Sequence, residues 1–429
     1  MRVTVFGLWH LGCVTAACLA SAGHEVTGLD LDGDLVLRLR RGEPPLYEPG
    51  LSERISEGLA SARLRFTAEP PEALRGAEIL WVTFDTPVDD QDEADVTWVR
   101  HQLDTVVGVL PSRTIVLVSS QVPVGFTASL ERCCQGRGIR FACCPENLRL
   151  GRALESFERQ DRIVVGVRDD TVKPILTELL EPFAARIEWM SIESAEMTKH
   201  ALNAFLATSV SFINEVARIC ETVGADAKEV ERGLKSEPRI GPRAYLSPGA
   251  PFAGGTLARD VRFLIGLGRA GHLATPACSG VVESNDVHGS WIRTKLERLL
   301  TGIANPEAAV LGLTYTPGTS TLRRSSAVAL CQWLVERGVA VRAHDPAVHE
   351  LPEALARDVR LCQGTLETLR GADVAIIATA WPEYRELRVD DLAGAMRRAT
   401  VVDQTWLLAA ALATDSRIVY VAPGRPGVS

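Results

Sequence analysis

Residues 5–30 read VFGLWHLGCVTAACLASAGHEVTGLD, and this stretch determines the fold of the first third of the chain. A short run of β-formers, RVTVFG, leads into Gly7, and a helical pattern, GCVTAACLASAG, starts at Gly12. A second β-rich run, HEVTGLDLD, contains Asp30. Strand, glycine turn, helix and strand in this order are typical of a parallel βαβ unit.

The same stretch has the layout of a dinucleotide-binding turn. An acid about 20 residues beyond such a turn, here Asp30, binds ribose hydroxyls and favours NAD over NADP. Trp9 replaces the middle glycine of the usual pattern, so its side chain must point away from the phosphates or displace them. Two interpretations stay open: an NAD site, and a Rossmann-like domain that has lost its nucleotide. The predicted NAD contacts are Gly7, Trp9, His10, Leu11, Gly12, Asp30, Thr86 and Gln121.

Short apolar strands alternate with helices at both ends of the chain. AEILWVTF, TIVLVSS and DRIVVGV are strand-like runs before the middle, and AAVLGLTYT, VAVRAHDP and ADVAIIATAW are strand-like runs after it. Between them, residues 194–223 lack proline and place apolar residues three and four positions apart, which predicts a long helix. The pattern predicts an α/β protein with two doubly wound Rossmann-like domains joined by a long central helical segment.

The element pattern also predicts domain boundaries. We expect an N-terminal NAD-binding domain at 1–193, a central helical dimerisation segment at 194–300 and a C-terminal α/β domain at 301–429. A helix of about 30 residues that only bridged solvent would be unusual. A helix of this length more readily buries one face against a second subunit, so we expect a homodimer.

Composition limits the classes of partner. The 429 residues are 46% hydrophobic and 23% charged, with a net charge of −8, as in soluble globular proteins. The chain has no basic stripe for nucleic acid and no apolar run of membrane-span length. The opening MRVTVFG enters a strand pattern directly, so we expect no signal peptide. Ten cysteines without a C-x-x-C pair predict reduced thiols in a cytoplasmic protein and no metal site.

Several longer motifs, taken in order, carry a family resemblance. They read GLWHLGCVTAACLASAGHEVTGLDLD, GEPPLYEPGL, CPENLRLGRALESF, QDRIVVG, AEMTKHALNAFLATSVSFINE, RIGPRAYLSPGAPFAGG and ATAWPEYREL. The set resembles the UDP-glucose/GDP-mannose dehydrogenase family along nearly the whole chain. The resemblance implies an NAD-binding Rossmann domain, a dimerising central helix and a C-terminal domain that binds the nucleotide sugar. Family enzymes oxidise a primary alcohol of the sugar to a carboxylate in two NAD-dependent steps, and a cysteine attacks the intermediate aldehyde.

The resemblance assigns roles to single residues. Lys199 and Asn203 match the family's lysine and asparagine on the central helix, and their i,i+4 spacing puts both on one face. Glu146 matches the glutamate that assists thioester hydrolysis, and Asp260 matches the aspartate beside the reacting centre. The implied catalytic residues are Lys199, Asn203, Asp260, Glu146 and Thr256. The implied substrate contacts are Asn147, Leu148, Arg149, Arg239, Tyr245, Phe252, Gly254, Gly255 and Arg259.

Departures from the family pattern are concentrated in the catalytic loop. The family reads Gly-Gly-Ser-Cys-Phe-Pro-Lys-Asp there, and alignment on Asp260 places Thr256 at the cysteine and Arg259 at the lysine. No cysteine occurs between Cys220 and Cys278. Leu150 replaces the family's second glutamate, and Gln121 replaces the threonine of its Ser-Thr-Val-Pro motif. Residues 315–321 and 403–405 also differ from the family's phosphate- and base-binding motifs.

The cysteine replacement affects the two oxidations differently. A thiol is partly ionised at neutral pH, whereas a threonine hydroxyl is not, so covalent attack on the aldehyde suffers most. We therefore predict an NAD-dependent oxidoreductase acting on a nucleotide sugar, such as UDP-glucose, in which the first oxidation is retained and the second is doubtful. Alternatives are a redox-neutral epimerase and a non-catalytic binding homologue. Cys143 or Cys144 could replace the nucleophile, although ordinary strand-end cysteines are the simpler interpretation.

Overall fold

A computed structural model describes residues 1–87, 95–146, 148–253 and 256–426. The chain divides into two compact units, which we call the first unit (Met1–Leu202) and the second unit (Asn203–Ser429). This boundary lies inside the central helix, whereas the sequence patterns predict three parts at 1–193, 194–300 and 301–429. The three-part division therefore stays a prediction.

The first unit is built on one sheet. Within the described residues its strands are β1 (Arg2–Phe6), β2 (Glu25–Leu29), β3 (Leu64–Thr67), β4 (Ile79–Val82), β5 (Ile115–Val118), β6 (Arg140–Cys143), β7 (Ile163–Val167) and β8 (Ile187–Met190). Their order across the sheet is β3-β2-β1-β4-β5-β6-β7-β8. The neighbours run parallel except β6 and β7, which are antiparallel. The chain reverses its direction across the sheet between β1 and β4, where doubly wound folds bind ligands.

Helices cover this sheet on both faces. Among the described residues they are α1 (His10–Ser21), α2 (Gly33–Leu39), α3 (Leu51–Ala60), α4 (Pro70–Ala73), α5 (Val96–Val107), α6 (Phe126–Cys133), α7 (Ala153–Glu158) and α8 (Lys173–Leu180). Aspartates stabilise two helix starts: Asp32 accepts from the amides of Asp34 and Leu35, and Asp95 accepts from the amide of Trp98. These side chains satisfy N–H groups that have no partner inside the helix.

Alternate residues of the central strands supply two separate cores. Ile79 and Trp81 of β4 belong to the cluster with α1, α3, α7 and α8, whereas Leu80 and Val82 belong to the cluster with α5 and α6. A strand that is buried on both faces reads as a continuous apolar run, and ILWV of β4 has this pattern. The prediction of a doubly wound Rossmann-like domain is confirmed for this unit.

The central helix is α9 (Ile192–Val223), 32 residues long, which begins in the first unit and ends in the second. The sequence predicted it at 194–223, so its existence and length are confirmed. Its exposed side chains include Phe205, Phe212 and Ile219, which occur at seven-residue spacing. Residues seven apart lie on one face of a helix, so these three form one apolar stripe.

The second unit continues with helices and then a second sheet. Its further described helices are α10 (Ala227–Ser236), α11 (Leu257–Ala270), α12 (Pro276–Gly289), α13 (Trp291–Leu300), α14 (Ser326–Glu336), α15 (Glu353–Ala356), α16 (Thr365–Leu369), α17 (Val389–Ala395) and α18 (Ala409–Leu412). Its strands are β9 (Glu307–Leu311), β10 (Ala340–His344), β11 (Val359–Leu361), β12 (Val374–Ile377), β13 (Thr400–Asp403) and β14 (Val419–Val421). They pair in parallel in the order β11-β10-β9-β12-β13-β14, which confirms the second Rossmann-like domain. In the part of the chain that the structure describes, no helix is both long and apolar enough to cross a membrane.

Candidate active site

The turn between β1 and α1 requires glycine at two positions. Gly7 has φ +98°, a conformation that side chains with a Cβ rarely adopt, and its amide donates to the carbonyl of Leu29 at 3.0 Å. A Cβ on Gly12 would lie 1.8 Å from the carbonyl oxygen of Gly7. The hydroxyl of Thr83 donates to the same oxygen at 2.8 Å. The backbone of α1 therefore lies directly against the turn, as close helix–strand packing in a dinucleotide site requires.

Trp9 does not fill this turn. It is the N-cap residue of α1 and its side chain is 48% exposed. No side-chain hydrogen bond caps this helix start in the described structure, so the first amides of α1 have no such partner. Amides at a helix N-terminus form an anion site, and the pyrophosphate of NAD fits there. The exposed position of Trp9 thus reconciles a large side chain with nucleotide binding.

Asp30 lies just after β2 and holds the turn from the other side. One carboxylate oxygen accepts from the amide of Leu8 at 2.7 Å, and the other accepts from the amide of Asp32 at 3.0 Å. The residue is half-buried, and each carboxylate oxygen has a second lone pair for a ribose hydroxyl. The glycine turn, the uncapped helix start and this acid together fit an adenine dinucleotide.

The ring of His10, a predicted NAD contact, is bonded within the protein. Its ring is buried, and Nε2 lies 2.9 Å from a carboxylate oxygen of Glu48. Glu48 also accepts from the amides of Gly151 and Ala153, at 3.0 and 2.8 Å. Because the ring connects α1 to the segment before α7, the backbone amide is the only group of His10 that a cofactor could contact. The side chain of Leu11 is also buried. Glu48 was not predicted as a site residue, although it lies within the GEPPLYEPGL motif.

Thr86 and Gln121 meet at the carboxyl edge of the first sheet. The hydroxyl of Thr86 donates to the carbonyl of Gln121 at 2.6 Å. Thr86 comes after β4 and Gln121 comes after β5, which are neighbouring strands. Both predicted cofactor contacts therefore lie at the edge of the sheet that also carries Gly7 and Asp30.

Lys199 is joined to the segment that contains Glu146. Its ammonium donates to the carbonyl oxygen of Glu146 at 2.5 Å, and both residues are half-buried. The adjacent residues of α9 fix this part of the helix: Glu196 accepts from the amides of Gly125 and Thr127, at 2.6 and 3.0 Å. Glu196 is buried and satisfies the start of α6, a long-range capping contact that local sequence pattern does not reveal.

Three predicted substrate contacts adjoin Glu146 along the chain. Asn147 lies outside the described residues. Leu148 is half-buried and packs against the core of the first unit, so its side chain has a structural role. Arg149 is exposed, and its carbonyl accepts from the amide of Arg152 at 3.0 Å.

Asn203 and Asp260 form a buried pair in the second unit. The amide nitrogen of Asn203 donates to a carboxylate oxygen of Asp260, and both side chains are almost fully buried. The amide of Asp260 in turn donates to the carbonyl of Thr256 at 3.2 Å. Asp260 therefore lies in the first turn of α11 without being its N-cap, and its carboxylate is oriented by Asn203.

Thr256 is the N-cap of α11, and its side chain is exposed. In the described structure its hydroxyl makes no capping hydrogen bond to the helix. Arg259, at the position of the family's lysine, is buried within the same helical turn. Gly254 and Gly255, the predicted close approach to the sugar, lie outside the described residues.

The segment that leads to Thr256 is held by side chains that were not predicted. The amide of Asn285 bonds to both backbone groups of Phe252, at 2.9 and 3.0 Å. Asn214 accepts from the amide of Gly249 at 2.9 Å, and Nε2 of His288 bonds to the carbonyl of Gly249 at 2.8 Å. We call Asn214, Asn285 and His288 the loop clamp. The clamp fixes Phe252, a predicted substrate contact, through its backbone.

Arg239 and Tyr245 lie on the surface of the second unit. Arg239 is highly exposed, and Nε donates to a carboxylate oxygen of Glu237 at 2.8 Å. Tyr245 is exposed as well. Their predicted contacts with substrate remain predictions.

Cys143 and Cys144 are poor candidates for a replacement nucleophile. Both are buried, and burial raises the pKa of Cys143 well above its usual value and that of Cys144 to about 12. A thiol must ionise to attack a carbonyl carbon, so neither is reactive at neutral pH. The structure supports the simpler interpretation of two ordinary cysteines at a strand end.

Comparison with known proteins identifies the family of this architecture. The models of the UDP-glucose/GDP-mannose dehydrogenase family match in order: the NAD binding domain at 1–184, the central domain at 193–287 and the UDP binding domain at 309–409. UDP-glucose 6-dehydrogenase of Pseudomonas aeruginosa is 34% identical, over 99% of this chain and 98% of that protein. UDP-glucose 6-dehydrogenase TuaD of Bacillus subtilis is 30% identical, over 100% and 94%.

A solved structure supports the same assignment. A UDP-glucose dehydrogenase from Pyrobaculum islandicum superimposes with a TM-score of 0.88 at 30% identity, over 99% of this chain and 98% of that chain. The predictions of NAD as cofactor and of an NAD-dependent nucleotide-sugar dehydrogenase-like oxidoreductase are confirmed at this level. With family models matching in order and full-length relatives at 30% identity or more, the chain belongs to the UDP-glucose/GDP-mannose dehydrogenase family.

Proposed function

We propose that this enzyme oxidises an alcohol of a UDP-sugar, UDP-glucose in the first instance, to the aldehyde and does not complete the second oxidation to the acid. The observation that carries the proposal is Thr256, an exposed hydroxyl at the start of α11 in the place where the family resemblance implies a thiol. The names of the relatives at 30–34% identity support the choice of UDP-glucose.

The first oxidation needs a proton acceptor, a partner for the alcohol oxygen and a hydride acceptor. NAD, when bound, would supply the hydride acceptor for the carbinol carbon. We assign the proton to Asp260, directly or through water, because Asn203 orients its carboxylate. We assign the alcohol oxygen to Lys199, whose ammonium is already directed by the carbonyl of Glu146. One C–H and one O–H bond break, and the products are an aldehyde, a reduced cofactor and a proton.

The second oxidation in the family needs a covalent bond to the aldehyde carbon. A free thiol has a pKa of about 8.5 and is a few per cent thiolate at neutral pH, whereas a threonine hydroxyl needs a positioned base. Cys143 and Cys144 do not supply a thiolate, because burial keeps both protonated. These features support an aldehyde as the product.

We propose further that two copies of the chain associate through the apolar stripe of α9. Phe205, Phe212 and Ile219 are all at least half exposed at seven-residue spacing, a pattern that favours helix-to-helix contact. Phe212→Asp should convert the protein to a particle of the chain mass, 46.4 kDa, in light scattering. Leu366→Asp, an exposed apolar residue on α16, is the matched control and should leave the wild-type mass unchanged. A wild-type particle of one chain mass would contradict the dimer.

The remaining predictions follow the family plan. We propose that residues 1–193 bind NAD, 194–300 form the dimerising segment and 301–429 bind the nucleotide sugar. We also propose a cytoplasmic location, because all ten cysteines are free thiols, which suits a reducing compartment.

Product identification tests the proposed reaction. The purified chain is incubated with NAD and a panel of UDP-, GDP- and dTDP-sugars, and the products are identified by mass spectrometry. We expect UDP-glucose to give the aldehyde or its hydrate. A UDP-sugar acid as the main product would contradict the two-electron reaction, and an isomer without NADH would favour the redox-neutral alternative. Lys199→Ala should remove turnover, whereas Lys173→Ala, a control on α8 that loses an ion pair with Asp170 and a cation–π contact with Trp189, should retain it.

A further inference from the structure

The amino-terminal end of the first sheet presents an unusual polar face. Arg2 pairs with Glu25, and Thr4 pairs with Thr27, across β1 and β2. On the other side of β2, Thr27 pairs with Arg65 of β3. Residues two apart along a strand share a face, so these five side chains form one array. Arg2, Glu25 and Arg65 are exposed, so the charged members of this array are open to solvent and to a ligand.

The array lines a cavity of about 400 Å³. Its lining contains four arginines and one glutamate, an excess of three positive charges: Arg2, Arg63, Arg65, Arg75 and Glu25. The chain as a whole has a net charge of −8, so the positive charge of this lining is opposite in sign to that of the whole chain. Pockets of small ligands have volumes of about 300–1,000 Å³, so the cavity is large enough for one.

Three of the four guanidinium groups, those of Arg2, Arg63 and Arg65, have close neighbours in the protein. The Nη1 atom of Arg2 would lie 2.7 Å from a Cβ on Gly76, and that of Arg63 would lie 3.1 Å from a Cβ on Gly23. Nε of Arg65 donates to the hydroxyl of Thr27 at 2.9 Å. Within the described ranges, none of the four arginines of the cavity forms an ion pair. Neighbouring like charges repel one another, and a bound anion would relieve that repulsion.

We propose that this cavity, which we call the arginine cavity, binds a small molecule that carries two or more phosphate charges. Guanidinium groups bind phosphate oxygens in pairs through parallel N–H donors, and the excess of three positive charges suits a diphosphate better than a single carboxylate. The cavity lies at the amino ends of β1 and β2, whereas Gly7 and Asp30 lie at the carboxyl ends of the same strands. The arginine cavity is therefore separate from the predicted cofactor turn.

Hydrogen exchange tests the proposal with inorganic pyrophosphate as the probe. In the full-length protein with NAD present in saturating amounts, pyrophosphate should slow amide exchange in residues 61–77. Arg63→Ala/Arg75→Ala should weaken that response, with the apparent Kd raised at least tenfold, since each lost charged contact is worth about tenfold or more. The matched control Arg132→Ala/Arg298→Ala, which removes two exposed arginines elsewhere, should change the Kd by less than twofold.

Comparison of pyrophosphate with ADP distinguishes a bare phosphate chain from a nucleotide as the ligand. An equal response to pyrophosphate and ADP identifies the phosphate chain as the ligand, and a stronger response to ADP identifies a nucleotide. Arg63→Lys/Arg75→Lys, which keeps the charge, should retain part of the response if the variants are folded. The proposal is overturned if residues 61–77 do not respond, or if the response survives in the double alanine variant. These results do not depend on which sugar the enzyme oxidises.

Discussion

The two sheets of the molecule begin with the same turn and use it differently. In the first unit, Gly7 has φ +98° and the next residue, Leu8, donates its amide to Asp30 at 2.7 Å. In the second unit, Gly312 has φ +93° and Leu313 donates its amide to Asp345, also at 2.7 Å. Both sheets have the central order of a doubly wound fold, so the two turns occupy equivalent positions.

The two turns differ in the helix that comes after the glycine. In the first unit α1 begins at His10, close behind the turn, and presents its amides there. In the second unit α14 begins only at Ser326, well beyond Gly312, and its N-cap hydroxyl, Ser325, already accepts from helix amides. The first turn is therefore adapted to phosphate at a helix start, and the second is not.

The two acids show the same division. Asp30 is half-buried and accepts backbone amides alone among its described partners, whereas Asp345 is buried and accepts from Leu313, Thr314, Ala347 and the indole of Trp381. Because its lone pairs are occupied by the protein, Asp345 has a structural role. An equivalent position after the second strand of each sheet therefore does not determine whether an acid binds a ligand or the protein.

The largest effect is expected at the structural acid. Asp345→Ala should reduce the local stability of β9 and β10 by about 3–5 kcal/mol, because several buried donors lose their acceptor. Native-state hydrogen exchange of these two strands measures the change. Asp358→Ala, an exposed acid in the same unit, should cost less than about 0.5 kcal/mol. Equal effects of the two variants would show that Asp345 is not the structural centre of its turn.

The next effect is expected at the ligand-binding acid. Asp30→Ala should weaken NAD binding by about 10–100-fold, because it removes the proposed ribose acceptor and the partner of Leu8. Calorimetric titration with NAD measures the Kd. Exchange in β9 and β10 should be unchanged, and the exposed Asp34→Ala should keep the wild-type Kd. An unchanged Kd in Asp30→Ala would remove the distinction between the two acids.

A smaller effect is expected at two threonines, one beside each glycine turn, whose hydroxyls bond to the backbone. The hydroxyl of Thr83 donates to the carbonyl of Gly7 at 2.8 Å, and that of Thr379 donates to the carbonyl of Thr314 at 2.7 Å. Replacement of either by valine should cost about 1 kcal/mol of local stability, since one buried hydrogen bond is lost. Thr83→Val should also weaken NAD binding several-fold, and Thr379→Val should leave it within twofold. Equal losses of NAD affinity would contradict the separate roles of the turns.

The smallest effect concerns the loop clamp in the second unit. Burial lowers the pKa of His288, and the positive charge of Arg218 lowers it further, against the raising effect of the Gly249 carbonyl. The unfolded chain then binds a proton more readily than the folded one, so stability is fully present above about pH 6.5 and is lost as the pH falls towards the folded pKa.

Amide hydrogen exchange in residues 249–252, corrected for the intrinsic exchange rate at each pH, measures this pH dependence of local stability. Wild type should lose up to about 1 kcal/mol between pH 7.5 and 5.5, and His288→Gln should lose less. His24 and His344, whose pKa values are also lowered by burial, are present in both proteins and serve as an internal control. A loss of equal size in both proteins would assign the pH dependence to other groups.

Much of the fold and part of the candidate site could be predicted from local pattern. The Gly7 turn, Asp30 and the long helix α9 each leave a periodic or positional signature, and the structure has all three. Glu48 and the loop clamp leave none, because side-chain bonds to distant backbone groups depend on tertiary packing rather than on spacing. The burial of the His10 ring against Glu48 leaves no signature for the same reason: proximity in sequence does not reveal which way a side chain points.

The position of Asp345 could have been predicted from the sequence. It comes after the strand-like run VAVRAH as Asp30 comes after HEVTGL, so the repeat of the pattern could have identified it. Its role could not be predicted, since Trp381 and Thr314, which saturate it, come from other elements of the second unit. Thr256 is the opposite case, because its significance lies in its chemistry and is visible in sequence alone.

The most direct test of the two-electron reaction is the stoichiometry of NADH formed per UDP-glucose consumed, with NAD in excess and sugar limiting. We predict one NADH for each sugar in the wild type, with an aldehyde as product. Thr256→Cys should raise the ratio towards two and yield the acid, because a thiol restores covalent attack on the aldehyde. A wild-type ratio of two with the acid as product would contradict the two-electron reaction, and so would the absence of NADH.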